Sequence, residues 1–502
     1  MRIYRLPADY CQLWNKIRTA EMLRTGLLVS LIFWFSFLSA RQGPIERFLS
    51  DSSMVHASVS LCIINAGNGE VIAEHNSDKS LTQASVMKLI TTAASIELLG
   101  PDYSFKTILG YSGTIRKGSH TLDGNIIIKG GGDPALGSEN FPEHDNHFIE
   151  KWVDDITKLE IKKIKGRVLT DDSYFDYLPV PGKWAWEDIG NYYGAGAYGL
   201  SIFDNTIKIH FKTYGEGSIP LTTATEPSVS GIEYSNYLKI HSSADEGEGF
   251  VFSVPYGTSG WFAGSIPANR EDFVLKASLP DPPLFLADLL ERMLEEKGIK
   301  IINEATTVRL HPELQADKIS VIDTVFSPHL SSIIEVLNHE SVNLYAEHLV
   351  KELGRTYRGE GSTSAGVRVI LDFLDSCKIS TEGLFIEDGS GLSAPDAINS
   401  GEVVKLLLHM KKDGRFFDDY LKSLPDAGKE GTLTSYFKDK VFDSRLKAKS
   451  GSMTRVRSYA GFFTTMTGKE MIFSIIVNNY TGPVRKVISG IEEIIKEYIL
   501  YW

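Results

Sequence analysis

The chain has 502 residues, a length that suggests about three domains, and its 42% apolar and 23% charged residues are an ordinary globular composition. Asp plus Glu total 64 against 52 Lys plus Arg, a formal charge of −12, so the basic face of a nucleic-acid binder is not expected. Three cysteines exclude a disulfide scaffold, and with no C-x-x-C pair they offer no zinc site.

Residues 1–40 read as a signal peptide or N-terminal anchor. The run 26–38 is almost wholly apolar, follows Arg24 and leads into Ser39-Ala40. It is short for a span of about 20 residues but suits a signal-peptide core. An exported body, periplasmic or in the cell envelope, is therefore expected, with peripheral membrane association left open.

Residues 58–64 and 70–75 are strand-like and joined by Gly67-Asn68-Gly69, a strong hairpin signal. A helix pattern follows over 85–99, with Met87, Ile90, Ala94 and Leu98 apolar and a stop at Gly100-Pro101. The stretch 106–324 is rich in Gly, Asp, Tyr and short strand-like runs such as 125–128 and 205–211. Its Gly130-Gly131-Gly132-Asp133-Pro134 lacks a following Gly-Lys-Ser/Thr and reads as a turn, not a phosphate loop. Apolar Leu330, Ile333, Ile334 and Leu337, then a run over 344–353 closed by Gly354, predict a helix–loop–helix. Strands at 459–466 and 471–478 flank Thr467-Gly468, and an amphipathic helix covers 484–498. Strands and helices at both ends must pack together, which predicts one α/β (α+β) domain from 50–105 and 325–502, interrupted by the inserted region 106–324.

No Gly-x-Ser-x-Gly elbow and no His-Glu-x-x-His occur, and the 12 histidines show no metal spacing. Ser-x-x-Lys appears at Ser85–Lys88, Ser435–Lys438 and Ser444–Lys447. Only the first opens an amphipathic helix, which sets Ser85 and Lys88 one turn apart on one face with the amine leaning back toward the hydroxyl. The positive end of the helix and partial burial both disfavour an ammonium there, as a general base requires. The other two lie in charged stretches and read as surface. Lys449-Ser450-Gly451 precedes the C-terminal hairpin. A lysine on an edge strand suits a carboxylate, Gly451 admits substrate backbone, and the Ser452 amide could point inward. Of two Ser-x-Asn strings, Ser138–Asn140 sits in a Gly/Pro-rich loop, whereas Ser341 and Asn343 sit between two helices that can hold them rigidly.

Ser85-Val-Met-Lys88, Ser341-Val-Asn343 and Lys449-Ser-Gly451, in that order, resemble the penicillin-recognising serine acyltransferases. The long gap between the first two motifs resembles one branch. This is the class C low-molecular-mass penicillin-binding proteins, D-Ala-D-Ala carboxypeptidase/endopeptidases of the penicillin-binding protein 4 type. Gly130–Pro134, Asp171-Asp-Ser-Tyr-Phe175, Asn343-Leu-Tyr-Ala-Glu-His348, Asp388-Gly-Ser-Gly-Leu-Ser393, Leu424-Pro425 with Gly431-Thr-Leu433, and Ala448-Lys-Ser-Gly451 extend the similarity from about residue 55 to the end. Val342 stands where relatives often carry Asp.

The resemblance implies a penicillin-binding-protein/β-lactamase-like domain with an antiparallel sheet, interrupted by two nested, largely β domains. It implies that Ser85 attacks the carbonyl between two D-alanines while Lys88 takes its proton. Ser341 would relay a proton to the departing amine, and Asn343 would orient the substrate amide. Lys449 and Ser450 would hold the terminal carboxylate, and the Ser85 and Ser452 amides would bind the oxyanion, with no metal or organic cofactor. Peptidoglycan peptides are then the substrates and β-lactams the covalent inhibitors. Asp172, beside Asp171 and the aromatic Trp184 and Trp186 with Asp188, is expected to contact a substrate ammonium.

Overall fold

The structure is a computed structural model that describes residues 43–144, 147–242 and 248–502. The apolar run at 26–38, and with it the signal-peptide reading, lies outside these residues. Among the described residues no helix is long and apolar enough to cross a membrane, and Cys62 and Cys377 are free thiols.

The two ends of the chain build one five-stranded antiparallel sheet in the order Leu446–Met453, Val456–Thr464, Glu470–Asn478, Ser58–Asn65, Val71–His75. Ser58 to Asn65 pair residue by residue with Asn478 to Met471. Both faces are covered, so these strands read as nearly continuous apolar runs. The two-residue period sends Leu61, Ile63, Phe473, Ile475 and Val477 toward Val487, Ile491 and Ile495 of the last helix, Val484–Tyr501. Cys62, Ile64, Ile472 and Ile476 face the opposite layer, which contains Met87–Leu99, Leu330–Glu340, Asn343–Arg358, Thr363–Ser376 and Ser400–Asp413. This is the expected α/β architecture with an antiparallel sheet.

One helix departs from expectation. Gly354 does not close the second helix of the helix–loop–helix, which runs on as Asn343–Arg358 to Gly359, φ +71°. Gly354 serves close helix packing instead. A Cβ there would lie 2.7 Å from Glu360 O and 2.8 Å from Gly366 N, and one on Gly366 would lie 1.9 Å from Val350 O.

The inserted region leaves and returns side by side, Lys106–Tyr111 pairing antiparallel with Ser320–Phe326. These two strands share a five-stranded sheet with Ile126–Lys129, Val168–Asp171 and Thr306–Thr307. Within that excursion lie a three-stranded sheet centred on Thr206–Lys212 and a four-stranded one around Ser259–Pro267. The region rests on the polar side of the Asn343–Arg358 helix, where three fully buried side chains find distant partners. The Tyr345 hydroxyl donates to Asp204 Oδ1 (2.8 Å), and Lys351 Nζ donates to Asp176 (2.7 Å) and to Leu178 O (2.9 Å). His348, whose pKa burial pushes down to about 3, is neutral. Its Nδ1 donates to Gly132 O (2.8 Å) and its Nε2 accepts from Ser201 (2.9 Å).

Candidate active site

Ser85 lies in the short 3-10 turn Ala84–Val86 that runs into the Met87–Leu99 helix. Ala84 is left-handed, φ +50°, a strained setting for a residue with a Cβ. Two contacts hold it. Ser458 Oγ donates to Gln83 O, and the loop at Gly391 (φ +77°) packs so tightly on Ala84 that a Cβ would fall 2.0 Å from Ala84 O.

Lys88 is fully buried beneath Ser85. Its Nζ lies 2.9 Å from Ser85 Oγ, 2.6 Å from Asn343 Oδ1 and 2.8 Å from Ser390 O. Burial pushes its pKa down to about 7, against the opposing pull of the Asp388 and Glu347 charges. A neutral amine has two N–H groups and one lone pair. The amide and peptide oxygens only accept, so they take both N–H groups, and the lone pair is left for the Ser85 hydroxyl proton.

The Leu330–Glu340 helix ends at Ser341 in the left-handed conformation, φ +60°. The fully buried Lys449 donates from Nζ to Ser341 Oγ (2.9 Å) and to Ser450 O (2.9 Å). Burial holds Lys449 well below the usual lysine range, and the Lys88 charge adds to the effect. Gly451 passes so close to Ser85 that a Cβ would lie 2.2 Å from Ser458 Oγ, 2.5 Å from Gln83 O and 3.1 Å from Ser85 N. Ser450 Oγ is hydrogen-bonded to Thr432 Oγ1 (2.7 Å).

Ser85, Ser341, Asn343 and Ser452 open onto one cleft of about 1210 Å³, whose other wall includes Asp188, Tyr192 and Tyr193 of the inserted region. Lys88 and Lys449 lie beneath it, fully buried. Ser435 and Ser444 are exposed surface residues, and Ser138 is engaged with the hydroxyl of Tyr345 (2.8 Å). Asp172 is not among the cleft residues. It is 2% exposed, and its nearest cation is Arg309 at 4.0 Å. Burial pushes its carboxyl up to about 6. The same stretch of sequence does bring two carboxylates to the cleft, Glu187 and Asp188; partial burial raises Asp188, against the opposing effect of the Tyr193 hydroxyl.

Several residues of the site are marked in the sequence only as part of the resemblance, with no role assigned to them. The loop Asp388–Ser393 presents Ser390 O to Lys88, and two buried carboxylates hold it. Glu347 accepts from Ser390 N (2.9 Å) and Gly389 N (3.1 Å), while Asp388 accepts from Gly391 N (2.6 Å) and Ser393 N (2.7 Å). Burial, then the Asp388 charge, push the neighbouring Asp396 carboxyl up to about 10. Charged residues inside otherwise apolar runs are the one hint, since a buried carboxylate needs partners. No metal-binding group of three or more His, Cys, Asp or Glu occurs among the described residues.

The sequence profile of the D-Ala-D-Ala carboxypeptidase 3 (S13) family matches residues 41–497. The chain is 26% identical over 460 residues to the D-alanyl-D-alanine carboxypeptidase of Actinomadura sp. (strain R39), covering 89% of this chain and 82% of that one. It is 22% identical to D-alanyl-D-alanine carboxypeptidase DacB of Haemophilus influenzae, covering 83% and 84%. The crystal structure of penicillin binding protein 4 from H. influenzae shares the fold at 20% identity, with a TM-score of 0.76 over 89% of this chain and 97% of that one.

Proposed function

The chain belongs to the D-Ala-D-Ala carboxypeptidase 3 (S13) family, serine peptidases of the penicillin-binding protein 4 type, and from that premise we propose that Ser85 is the nucleophile and Lys88 its general base. The single observation that carries the reading is the 2.9 Å approach of a buried Lys88 amine to Ser85 Oγ with both its N–H groups directed elsewhere.

Ser85 Oγ adds to the carbonyl between two D-alanines as its proton passes to Lys88 Nζ. The oxyanion is met by the Ser85 and Ser452 amides, each worth about 3–4 kcal/mol of transition-state stabilisation in comparable sites. The C–N bond breaks as Ser341 Oγ, with Lys449 beside it, relays to the leaving amine the proton that Lys88 took from Ser85, which leaves Ser341 a hydroxyl and Lys88 a neutral amine again. Free D-alanine departs and an ester remains on Ser85. Water, deprotonated by the neutral Lys88 amine, then hydrolyses that ester, and the proton returns to Ser85 Oγ as the acid leaves. Asn343 orients the acyl amide, and Lys449 with Ser450 receives the terminal carboxylate. The same steps on a cross-link make a D,D-endopeptidase, and a β-lactam supplies a cyclic amide that acylates Ser85 without losing a leaving group. Peptidoglycan peptides as substrates and an exported, cell-envelope setting follow from this reading. Asp188 and Tyr193 on the far wall suit an ammonium on the substrate.

A fluorescent penicillin followed over time tests the assignment. Stable labelling of the wild type, absent in Ser85→Ala with its melting temperature kept, is the expected result. Rapid loss of label would mean a β-lactamase, no label a non-catalytic scaffold, and label persisting in Ser85→Ala a different nucleophile.

A further inference from the structure

Both oxygens that accept from Lys88 are secured by one short piece of the inserted region. Trp184 is 6% exposed, and its indole Nε1 donates to Asp388 Oδ2 at 2.7 Å, across 204 residues of sequence. Asp388 in turn ties down Gly391 and Ser393 through their N–H groups, so the loop carrying Ser390 O is anchored to the indole. Nine residues on, Tyr193 O accepts from Asn343 Nδ2 at 2.8 Å. That bond fixes which way the Asn343 amide faces and leaves Oδ1 for Lys88.

We infer that the segment 184–193 of the inserted region positions the Lys88 amine, with Trp184 a positioning residue for acyl transfer that acts through Asp388 and the Ser390 carbonyl. The inserted region thereby contributes to the chemical step as well as to the far wall of the cleft. The inference rests on the assignment of Ser85 and Lys88 above.

The physical route is short. A lone pair points at Ser85 only while two acceptors hold the two N–H groups. A loosened 388–393 loop frees one N–H and admits water beside the amine. Hydration favours the ammonium, the form that cannot take the Ser85 proton. The other charged groups that face Lys88 are Glu347 from the Asn343–Arg358 helix, Asp388 from the loop, with the Asp396 carboxyl behind it, and Lys449 from the edge strand. An Asp388 carboxylate that has lost the indole donor also attracts the ammonium more strongly. Both effects move the protonation of Lys88 in the same direction, upward.

Two substitutions separate the N–H from the bulk of the ring. Trp184→Phe keeps an aromatic ring and removes the donor. Trp184→His keeps a five-membered ring whose Nε2–H takes the place of the indole N–H and removes the fused benzene. Acylation by benzylpenicillin is followed by stopped flow between about pH 5 and pH 10, beside the wild type. For Trp184→Phe the acid limb of the acylation constant should move up by about one pH unit, so that acylation falls about fivefold at pH 7 and about tenfold on the acid side. The dissociation constant of the initial complex should stay within about twofold, because no group that meets the antibiotic has changed. Trp184→His should keep the wild-type limb.

An unmoved limb in Trp184→Phe overturns the inference, whatever the amplitude, because a smaller folded fraction scales a rate without moving its pH dependence. Equal shifts in both variants would assign the effect to ring volume and overturn it too. So would a Phe variant that fails to fold beside a His variant with wild-type behaviour, since the N–H would then be structural. A wild-type chain that benzylpenicillin does not acylate would instead remove the Ser85 and Lys88 assignment on which the inference stands.

Discussion

Lys449 Nζ donates to Ser341 Oγ at 2.9 Å, which makes one unit of an edge-strand lysine and a left-handed helix-end serine 108 residues apart. The two motifs thus meet in a single hydrogen bond, and burial disfavours the ammonium form of the lysine. An arriving carboxylate reverses that preference, because opposite charge favours the protonated amine. The pKa of Lys449 therefore climbs on binding, and the complex takes up a proton. Affinity for a carboxylate ligand should accordingly rise as pH falls through the window between the depressed and restored values. Calorimetry in buffers of different ionisation enthalpy should record net proton uptake for a D-Ala-D-Ala peptide. A C-terminal amide of the same peptide, and the Lys449→Ala variant with the acid, should show none.

On the proposed assignment, Lys88 sets the pH dependence of acylation itself. With its pKa pushed down to about 7 by burial, the amine is protonated and idle below that value and free above it. Acylation constants measured with a β-lactam that does not titrate in this range should fall about tenfold per pH unit on the acid side and level off above neutrality. A limb near the free-lysine value of about 10.4 would remove Lys88 as a depressed base. Lys88→Arg should be inactive at every pH, since a guanidinium stays protonated.

Gly451 is required by space rather than by backbone conformation. A methyl group there meets Ser458 Oγ and Gln83 O, the pair that holds the turn preceding Ser85. Gly451→Ala should push the edge strand away from the nucleophile and spoil the oxyanion site. We expect acylation to drop by at least about a hundredfold and stability by about 1–3 kcal/mol, read by labelling rate and by denaturant unfolding. Wild-type acylation in this variant would mean that the strand yields without disturbing Ser85.

Asp188 and Asp172 should behave as opposites. Asp188→Asn is expected to lower kcat/KM about tenfold for peptides with an ammonium near the scissile bond, with penicillin labelling unchanged. Asp172→Asn should leave both activities in place and act on stability alone. The folded-state pKa of Asp172, about 6, lies above the unfolded value, so its contribution is greatest at low pH and is lost as pH rises through about 6. Melting temperatures of wild type and Asp172→Asn should therefore diverge in favour of the variant as pH rises from about 4 to about 6, and keep that gap above it. Loss of peptide turnover in Asp172→Asn would return the ammonium contact to it.

The sequence was most legible where local patterning and tertiary role coincide. The hairpin at Gly67-Asn68-Gly69, the i, i+3 spacing of Ser85 and Lys88, and the apolar strands near the C-terminus need no knowledge of distant partners. The Asn343–Arg358 helix was harder. Its Tyr345, His348 and Lys351 occupy positions that periodicity assigns to solvent, yet all are buried against the inserted region. Their partners, Asp204, Gly132 and Asp176, are far off in the chain, so nothing local marks a seam in place of a surface. Gly354 misled for a related reason, since a glycine that lets two helices touch looks the same as one that ends a helix. Asp172 and Asp188 illustrate a third limit. Both are acidic residues near aromatics, and only the turn of the chain between them decides which reaches the cleft.

The pairing of the first strand with the last has a consequence in time. A ribosome delivers Lys88, with Ser85 just ahead of it, 255 residues before Asn343, and Lys449 and the strand Glu470–Asn478 later still. Through that interval Lys88 is an ordinary hydrated cation, and the serine beside it has no base. The newborn polypeptide is therefore chemically inert toward acyl donors, β-lactams included. On the proposed assignment, reactivity then waits for the C-terminal strands, because Lys449 and the sheet that joins its strand to Ser58–Asn65 complete the site.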